Sequence, residues 1–261
     1  MNIIFDQTGL KTPSAEILGL PVAVLTWEEG IALLDDLVEK GHFTPVSFLN
    51  AHNANVAAVN AEFADVMRRF LVLPDGVGVD IASKLLYGEP FPANLNGTDF
   101  IPAFLKARRE PLTVGLLGTT SDNVAAACEA LRIKAPQHRY EVIGDGFFDA
   151  AAEEAILGRL RALHPDILLV AMGVPRQELW IGRKLGAEHC TVPVGVGALL
   201  DFLSGAVPRA PAHGRVMAGA ACDPGLADDL ITCDGQGINL ASARPVTASG
   251  GSPLVAATDG D

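Results

Sequence analysis

Short apolar segments alternate with amphipathic ones along most of the chain. Six segments, mostly apolar on both faces, have the pattern of strands in a covered parallel sheet: 46–51, 70–74, 112–118, 140–146, 166–173 and 190–197. Helical spacing of apolar positions occupies the segments 27–40, 53–69, 95–107, 122–135, 150–163 and 175–186. This alternation predicts an α/β fold, a Rossmann-like and mostly parallel sheet with helices on both faces.

The pattern also divides the chain into parts. Residues 1–215 are predicted to form the folded domain, in two Rossmann-like halves separated near 108–111, where charged residues precede a proline. From residue 216 onward there are six aspartates and one arginine, with no glutamate, lysine, tryptophan, tyrosine or phenylalanine. Because such a composition cannot build a core, residues 216–261 are predicted to be a disordered tail.

Charge and composition exclude several classes of protein. The formal net charge is −12 and the isoelectric point is near 4.9, which argues against nucleic acid as a partner. The N-terminus has no signal-peptide pattern, and no stretch approaches the ~18 apolar residues of a membrane span, so membrane contact is expected to be peripheral. The four cysteines form no C-x-x-C pair, so a reducing cytoplasm is favoured over a disulfide or metal framework.

Ligands bind to sheets of this kind beyond the carboxyl ends of the strands. Asp75 lies at such an end, in LVLPDGVGVD at 71–80. The glycines beside it let the backbone approach a ligand, and the carboxylate is suited to act as a general base. The structural alternative is an Asp-Gly turn in which Asp75 caps the next helix.

Asn50 follows another predicted strand. Its carboxamide can both donate to and accept from a sugar hydroxyl. Capping of the next helix, by Asn50 or by Asn53, explains the residue equally well.

Gln177 and Glu178 follow Pro175 at the predicted start of a helix beside the ligand crevice. Their amide and carboxylate could bind ligand hydroxyls, with Arg176 near an anion. The alternative is an ordinary helix N-terminus, which Glu178 would stabilise by a few tenths of a kcal/mol.

Glycine-rich turns follow two further strands, at Gly118 and at Gly195 to Gly197. Amides in such turns can bind phosphate, although tight packing between strand and helix explains the glycines as well. Neither turn completes G-x-G-x-x-G, and the chain lacks a G-x-S-x-G elbow, a P-loop lysine and H-E-x-x-H. The folded part has no D-x-D pair for a nucleotide-bound metal, so no metal or other cofactor is expected.

Seven motifs occur in a fixed order between about residues 20 and 211: NAHNANVA, LVLPDGVGVDIASKLLYG, NGTDFIP, VGLLG, GDGFF, PDILLVAMGVPRQELWI and VGVGALLDFLSGAVPRAP. This series resembles the WecG/TagA/CpsF family of bacterial glycosyltransferases. The resemblance implies an inverting transferase that moves a hexose or N-acetylhexosamine from a UDP-sugar to a polyprenyl-diphosphate-linked saccharide in cell-surface polysaccharide synthesis. It also implies a peripheral location at the inner, cytoplasmic face of the membrane and self-association as a homo-oligomer.

The resemblance assigns roles to individual residues. It implies that Asp75 is the catalytic base. It places Asn50 and Gln177 at the acceptor and sugar, and with Asp99 and Glu178 they make up the four predicted substrate-binding residues. It places Phe147 near the uracil and Asp201 in the nucleotide region. Stabilisation of the departing UDP adds loop amides and a cation as candidates, so the predicted nucleotide-binding residues are Gly118, Phe147, Gly195, Gly197, Asp201 and Arg209.

The chain departs from the family pattern at several positions. Phe48 and Asn94 stand where many members have threonine and arginine, and NLNGTD is more similar to the exopolysaccharide branch with glucose-type donors than to the teichoic acid branch with N-acetylmannosamine. After about Pro211 the family's tryptophan- and arginine-rich appendage is replaced by AHGRVMAGAACDPGLADD, and we hypothesise an altered reading frame there. Two alternatives therefore stay open: a non-catalytic nucleotide-sugar-binding protein and, with less support, an NAD(P)-dependent oxidoreductase.

Overall fold

The central sheet consists of six parallel strands. The computed structural model describes residues 2–5 and 11–208 of the chain. In chain order the strands are β4 (Val46–Leu49), β5 (Leu71–Pro74), β6 (Thr113–Gly118), β7 (Arg139–Gly144), β8 (Ile167–Ala171) and β9 (Val192–Gly195). Their spatial order is β5-β4-β9-β8-β6-β7, and all neighbouring pairs are parallel. The predicted parallel α/β sheet is confirmed.

An additional sheet precedes these strands. It is antiparallel, in the order β1 (Asn2–Phe5), β2 (Lys11–Ile17) and β3 (Leu20–Ala23), and β3 contacts β5. The apolar pattern predicts no strand before residue 46. The segments are short, and the turn between β2 and β3 depends on positive φ at Leu18 and Gly19, which the apolar pattern does not indicate.

Nine helices connect the strands within the described residues: α1 (Trp27–Lys40), α2 (Ala51–Val59), α3 (Ala61–Met67), α4 (Val77–Tyr87), α5 (Gly97–Ala107), α6 (Ser121–Lys134), α7 (Ala150–Leu163), α8 (Arg176–Lys184) and α9 (Leu199–Ser204). Along the strands, alternate residues belong to two different apolar clusters. One cluster contains α1, α5, α6 and α9, and the other contains α2, α3, α7 and α8. Helices therefore cover both faces of the sheet, as predicted.

Helix ends follow the local sequence. The helix predicted at 27–40 has those bounds, because Thr26 and Glu29 form a reciprocal capping box and Gly41 adopts positive φ at the other end. The single helix predicted over 53–69 is wrong. Asn60 has extended φ and ψ of −123° and 97°, and its side chain accepts a hydrogen bond from the backbone N–H of Phe63, so α2 ends there and α3 begins.

Two sequence-based expectations concern parts that the structure does not describe. Arg209 and the predicted tail at 216–261 lie outside the described residues. The separation into two halves near 108–111 stays a prediction, in the connection between α5 and β6.

Candidate active site

The carboxyl ends of the six parallel strands meet at one edge of the sheet. Asp75 follows β5 and Asn50 follows the neighbouring β4. The loop that contains Gly197 follows the central strand β9, and Phe147 follows β7 at the other end of the sheet. The strand order therefore separates two groups of polar loops. One group contains Asp75 and Asn50, the other contains Phe147, and the loop after β9, called the β9 loop, lies between them.

Asn50 and Asp75 form a hydrogen-bonded pair. The amide Nδ2 of Asn50 donates to Oδ2 of Asp75 over 3.1 Å, while Oδ1 of Asn50 accepts from the backbone N–H of Asn53 over 3.0 Å. Asn50 therefore caps α2 and positions the carboxylate at the same time. The alternative in which Asp75 is a helix cap is wrong, because the N-cap of α4 is Gly76, with φ of +92°.

The environment of Asp75 favours a proton acceptor stronger than a free aspartate. Burial is the largest influence and raises the pKa of the Asp75 carboxyl, because the charged form loses hydration. The hydrogen bond from Asn50 lowers this pKa, and the negative charge of Asp99 raises it. A base with a raised pKa accepts a proton more readily near neutral pH.

Two further asparagines fix this corner of the site. Oδ1 of Asn94 accepts a hydrogen bond from the backbone N–H of Gly76 over 2.9 Å, which holds the turn directly after Asp75. Asn96 caps α5, and its Nδ2 donates to Oδ2 of Asp99 over 3.0 Å. In the sequence, Asn94 is notable only as a departure from the family pattern. Its place shortly before the asparagine cap of a helix was the available signal.

Phe48 belongs to the core rather than to the site. Its side chain is 5% exposed, and a Cβ added at Gly97 would lie 2.6 Å from Cε2 of the Phe48 ring. The aromatic ring thus packs on the first turn of α5. The structure explains this departure from the family pattern as a substitution that packs against a glycine.

Gln177 and Glu178 are buried beneath the β9 loop. Oε1 of Glu178 accepts hydrogen bonds from Oγ of Ser47 over 3.0 Å and from Nε2 of Gln177 over 2.8 Å, and Glu178 is 0% exposed. Oε1 of Gln177 accepts from the backbone N–H of Gly197 over 3.2 Å. The two side chains therefore connect β4 to the β9 loop, and their expected contact with substrate stays a prediction.

The absence of a side chain at Gly195 creates the space for this network. A Cβ there would lie 3.0 Å from Nε2 of Gln177 and 3.1 Å from Oε1 of Glu178. Oε2 of Glu178 has no hydrogen-bond partner within the part of the chain that the structure describes. Burial raises the pKa of the Glu178 carboxyl above its ordinary value, against the lowering effect of the bonds from Gln177 and Ser47.

Two substitutions of Glu178 should distinguish the contribution of its side-chain shape to stability from the contribution of its charge. Glu178→Gln is expected to unfold in urea within about 1 kcal/mol of the wild type at neutral pH, because the raised pKa already disfavours the carboxylate. Glu178→Ala is expected to lose about 2–4 kcal/mol, since it opens a cavity and leaves two buried donors unpaired.

The pH dependence gives a second measurement. The folded-state pKa of Glu178 is raised, so the wild type should lose stability relative to Glu178→Gln as pH rises from the ordinary glutamate value through the folded-state pKa. Equal urea midpoints for the alanine and glutamine variants would contradict the structural role of this network.

A second polar cluster joins β6 to α9. Oγ1 of Thr119 donates to Oδ1 of Asp201, and Nδ2 of Asn123 donates to the same oxygen over 3.0 Å. Thr119 has a positive φ of 48°, and its backbone carbonyl accepts from the N–H of Gly146 over 2.7 Å. These bonds bring Asp201 to the loops after β6 and β7, the region predicted from the sequence to bind the nucleotide.

Phe147 lies at the exposed end of this cluster. Its side chain is 73% exposed, and its backbone N–H donates to Oδ1 of Asp145 over 2.8 Å. Oγ of Ser121 donates to the other oxygen of Asp145 over 2.6 Å. The bond from Ser121 is the largest influence that lowers the pKa of the Asp145 carboxyl, followed by the bond from Phe147. An exposed aromatic ring on an anchored loop can stack against a flat base.

Arg176 faces a different part of the surface. Its Cζ lies 5.3 Å from the centroid of the Phe148 ring, a cation–π contact. Both residues line a cavity of about 490 Å³ between α7 and α8, together with Trp180. Asp75 does not line this cavity, and the expectation that Arg176 lies near a ligand anion stays a prediction.

The described residues limit two other kinds of site. Within 2–5 and 11–208, no group of three His, Cys, Asp or Glu side chains is arranged to hold a metal ion. None of the helices there has the length and continuous apolar character that a membrane span requires.

The fold and the site define a Rossmann-like α/β protein with a half-buried carboxylate among polar loops at the carboxyl edge of its sheet. Comparison with protein-family models gives its family. The chain belongs to the glycosyl transferase WecG/TagA/CpsF family, whose model matches residues 15–218.

Two similar curated proteins are each named N-acetylglucosaminyldiphosphoundecaprenol N-acetyl-beta-D-mannosaminyltransferase. The protein from Bacillus spizizenii is 33% identical over 141 residues, which are 54% of this chain and 54% of that protein. The protein from Staphylococcus aureus is 32% identical over 171 residues, which are 64% of this chain and 62% of that protein. The matches thus span between half and two thirds of the length of these relatives.

Proposed function

We propose that the protein is an inverting glycosyltransferase that transfers a sugar from a UDP-sugar to a polyprenyl-diphosphate-linked saccharide in cell-surface polysaccharide synthesis. The observation that carries the proposal is the half-buried Asp75 carboxylate, held by Asn50 at the carboxyl edge of the sheet. Membership of the glycosyl transferase family and the names of the relatives support it.

The proposed reaction is a single displacement. Asp75 accepts the proton of the acceptor hydroxyl, whose oxygen forms a bond to the anomeric carbon of the donor. The bond between that carbon and the diphosphate oxygen breaks, and UDP departs with the electron pair. Backbone amides of the loops after β6 and β9 are the proposed donors to this leaving group.

Substrate recognition is proposed to divide between the two clusters. Asn50 and Asp99 bind the sugar and acceptor beside Asp75. Phe147 stacks on the uracil, and Asp201 lies at the nucleotide beside Thr119. Arg209, outside the described residues, is the proposed cation for the diphosphate. Gln177 and Glu178 are proposed to act at this site by positioning the β9 loop, since both side chains are buried and Gln177 accepts from the N–H of Gly197.

The donor sugar is proposed to be an N-acetylhexosamine. Both relatives are named as N-acetylmannosaminyltransferases, which favours N-acetylmannosamine, whereas the NLNGTD segment favours a glucose-type donor. We also propose that the protein acts as a homo-oligomer at the inner face of the cytoplasmic membrane, where a lipid-linked acceptor is located.

A donor screen with the full chain tests the proposal. The protein is mixed with UDP-N-acetylmannosamine, UDP-N-acetylglucosamine or UDP-glucose and a short-chain prenyl-diphosphate N-acetylglucosamine, and the lipid product is measured by mass spectrometry. We expect a disaccharide product with one donor, with UDP-N-acetylmannosamine as the first candidate. If the protein binds UDP but neither transfers the sugar nor hydrolyses the donor, the alternative of a non-catalytic nucleotide-sugar-binding protein is supported instead.

A further inference from the structure

Helix α4 exposes an apolar face. Val77, Ile81 and Leu85 follow one another at four-residue intervals and are 57%, 55% and 82% exposed, and Leu86 is 61% exposed. Only Val79 and Ser83 of this helix are buried. Residues four positions apart lie on one side of a helix, so this apolar stripe faces away from the core.

The apolar surface continues onto the turn between β2 and β3. Oη of Tyr87 accepts from the backbone N–H of Glu16 over 3.0 Å and donates to its carbonyl over 2.8 Å, which fixes the end of α4 beside this turn. Leu18, at the turn, is 66% exposed. We call Leu18, Val77, Ile81, Leu85 and Leu86 the α4 patch. Contiguous exposed apolar surfaces mark interaction sites.

The α4 patch begins at the candidate active site. Val77 is two residues after Asp75, and the 11-residue helix extends about 16 Å from there. An acceptor whose hydroxyl reaches Asp75 has one sugar and a diphosphate between that hydroxyl and its hydrocarbon chain. A hydrocarbon chain that leaves the site along α4 would therefore lie on the patch.

The charge of this face agrees with a lipid diphosphate. Lys84 of α4 is exposed, and no ion pair joins it to another residue in the described part of the chain, whereas Asp80, one turn earlier, is half-buried. The whole chain has a net charge of −12, which does not favour an anionic bilayer. An ammonium group within an apolar stripe suits a phosphate-bearing hydrocarbon chain.

We propose that the α4 patch binds the isoprenoid chain of the lipid-linked acceptor, with Lys84 beside its diphosphate. The assignment rests on the proposed function and specifies the surface that receives the lipid. Apolar contact with the chain stabilises binding in proportion to the area that it covers.

Two acceptors that differ only in their hydrocarbon test this assignment. Both carry N-acetylglucosaminyl diphosphate, one esterified with a methyl group and the other with a farnesyl group. Each acceptor is used below the concentration at which it forms micelles. The farnesyl advantage is the ratio of their kcat/KM values. For the full-length wild type we expect a ratio well above one. In Ile81→Ser/Leu85→Ser the ratio should fall about tenfold, mainly through the KM of the farnesyl acceptor.

Matched variants separate this effect from general damage. Ile133 is 81% exposed near the end of α6, so Ile133→Ser removes an exposed isoleucine outside the α4 patch and should leave the ratio unchanged. Lys84→Gln should raise KM for both acceptors, because both carry the diphosphate. Thermal unfolding of each variant is compared with that of the wild type.

The possible results have distinct meanings. A wild-type ratio near one, or an unchanged ratio in Ile81→Ser/Leu85→Ser, overturns the lipid assignment alone. The wild type could instead be a dimer that Ile81→Ser/Leu85→Ser converts to a monomer without a change in the ratio. That result assigns the α4 patch to contact with a second copy of the chain and also overturns the lipid assignment. Turnover of neither acceptor by the wild type overturns the proposed function, and the lipid assignment with it.

Discussion

Asp75→Asn is expected to lower kcat for sugar transfer by roughly a thousandfold, the size of effect that general bases contribute. An amide of the same shape still accepts the hydrogen bond from Asn50 but does not take a proton from the acceptor hydroxyl. The fold should be kept. Because the folded state raises the pKa of this carboxyl, the ionised aspartate disfavours folding above that pKa, so the variant should be at least as stable as the wild type at neutral pH.

The neighbours of Asp75 supply the control. In the wild type, kcat/KM should fall as pH drops through the pKa of Asp75. Asn50→Ala removes the hydrogen bond that lowers this pKa, so the acid limb should move to higher pH. Asp99→Asn removes the charge that raises it, so the limb should move to lower pH. Transfer by Asp75→Asn at a rate near that of the wild type would exclude the base assignment.

Gly118→Ala is expected to destabilise the protein by at least 3 kcal/mol, on the order of the largest single-residue effects. A Cβ at this position would lie 2.2 Å from the carbonyl oxygen of Ala171, and Gly118 has φ of +136°, where residues with side chains are strained. The contact is with the backbone of the adjacent strand β8, which cannot move without breaking the sheet.

Gly158→Ala is the matched control. Gly158 lies inside α7, and a Cβ there would meet no atom within 4 Å. Alanine should therefore stabilise the helix by about 0.5–1 kcal/mol. Urea unfolding of the two variants measures both effects. A Gly118→Ala variant as stable as the wild type would show that β6 and β8 do not pack as described.

The glycine turns after β6 and β9 have two explanations, phosphate binding and close packing. Close packing between strands is sufficient to explain why glycine occupies position 118. At Gly197 the backbone N–H already donates to the side chain of Gln177. The binding of phosphate by these turns stays a prediction, and a ligand would have to share or displace the bond at Gly197.

The candidate site was partly visible in the sequence. Asp75 and Asn50 could be selected because polar residues directly follow apolar strands, and the order of motifs indicated the family. The sequence could not show that Asn50 both caps α2 and donates a hydrogen bond to Asp75. The two roles are compatible, and the second depends on the distance between two side chains that are 25 residues apart in the chain. The structural roles of Asn94, Asn123 and Ser47 could not be predicted, because nothing local shows which distant atom a short polar side chain will meet.

The sequence by itself determined the secondary structure of most of the domain, because apolar periodicity and capping residues act within a few positions along the chain. The tertiary structure decided which strands are neighbours. The order β5-β4-β9-β8-β6-β7 brings Asp75 to Asn50, Asp201 to Thr119, and Glu178 to Ser47. It also decided that Glu178 is buried and that the apolar face of α4 is not. The periodicity of the sequence indicates that one face of a helix or strand is apolar. Whether another element covers that face depends on the packing of segments that are distant in the chain.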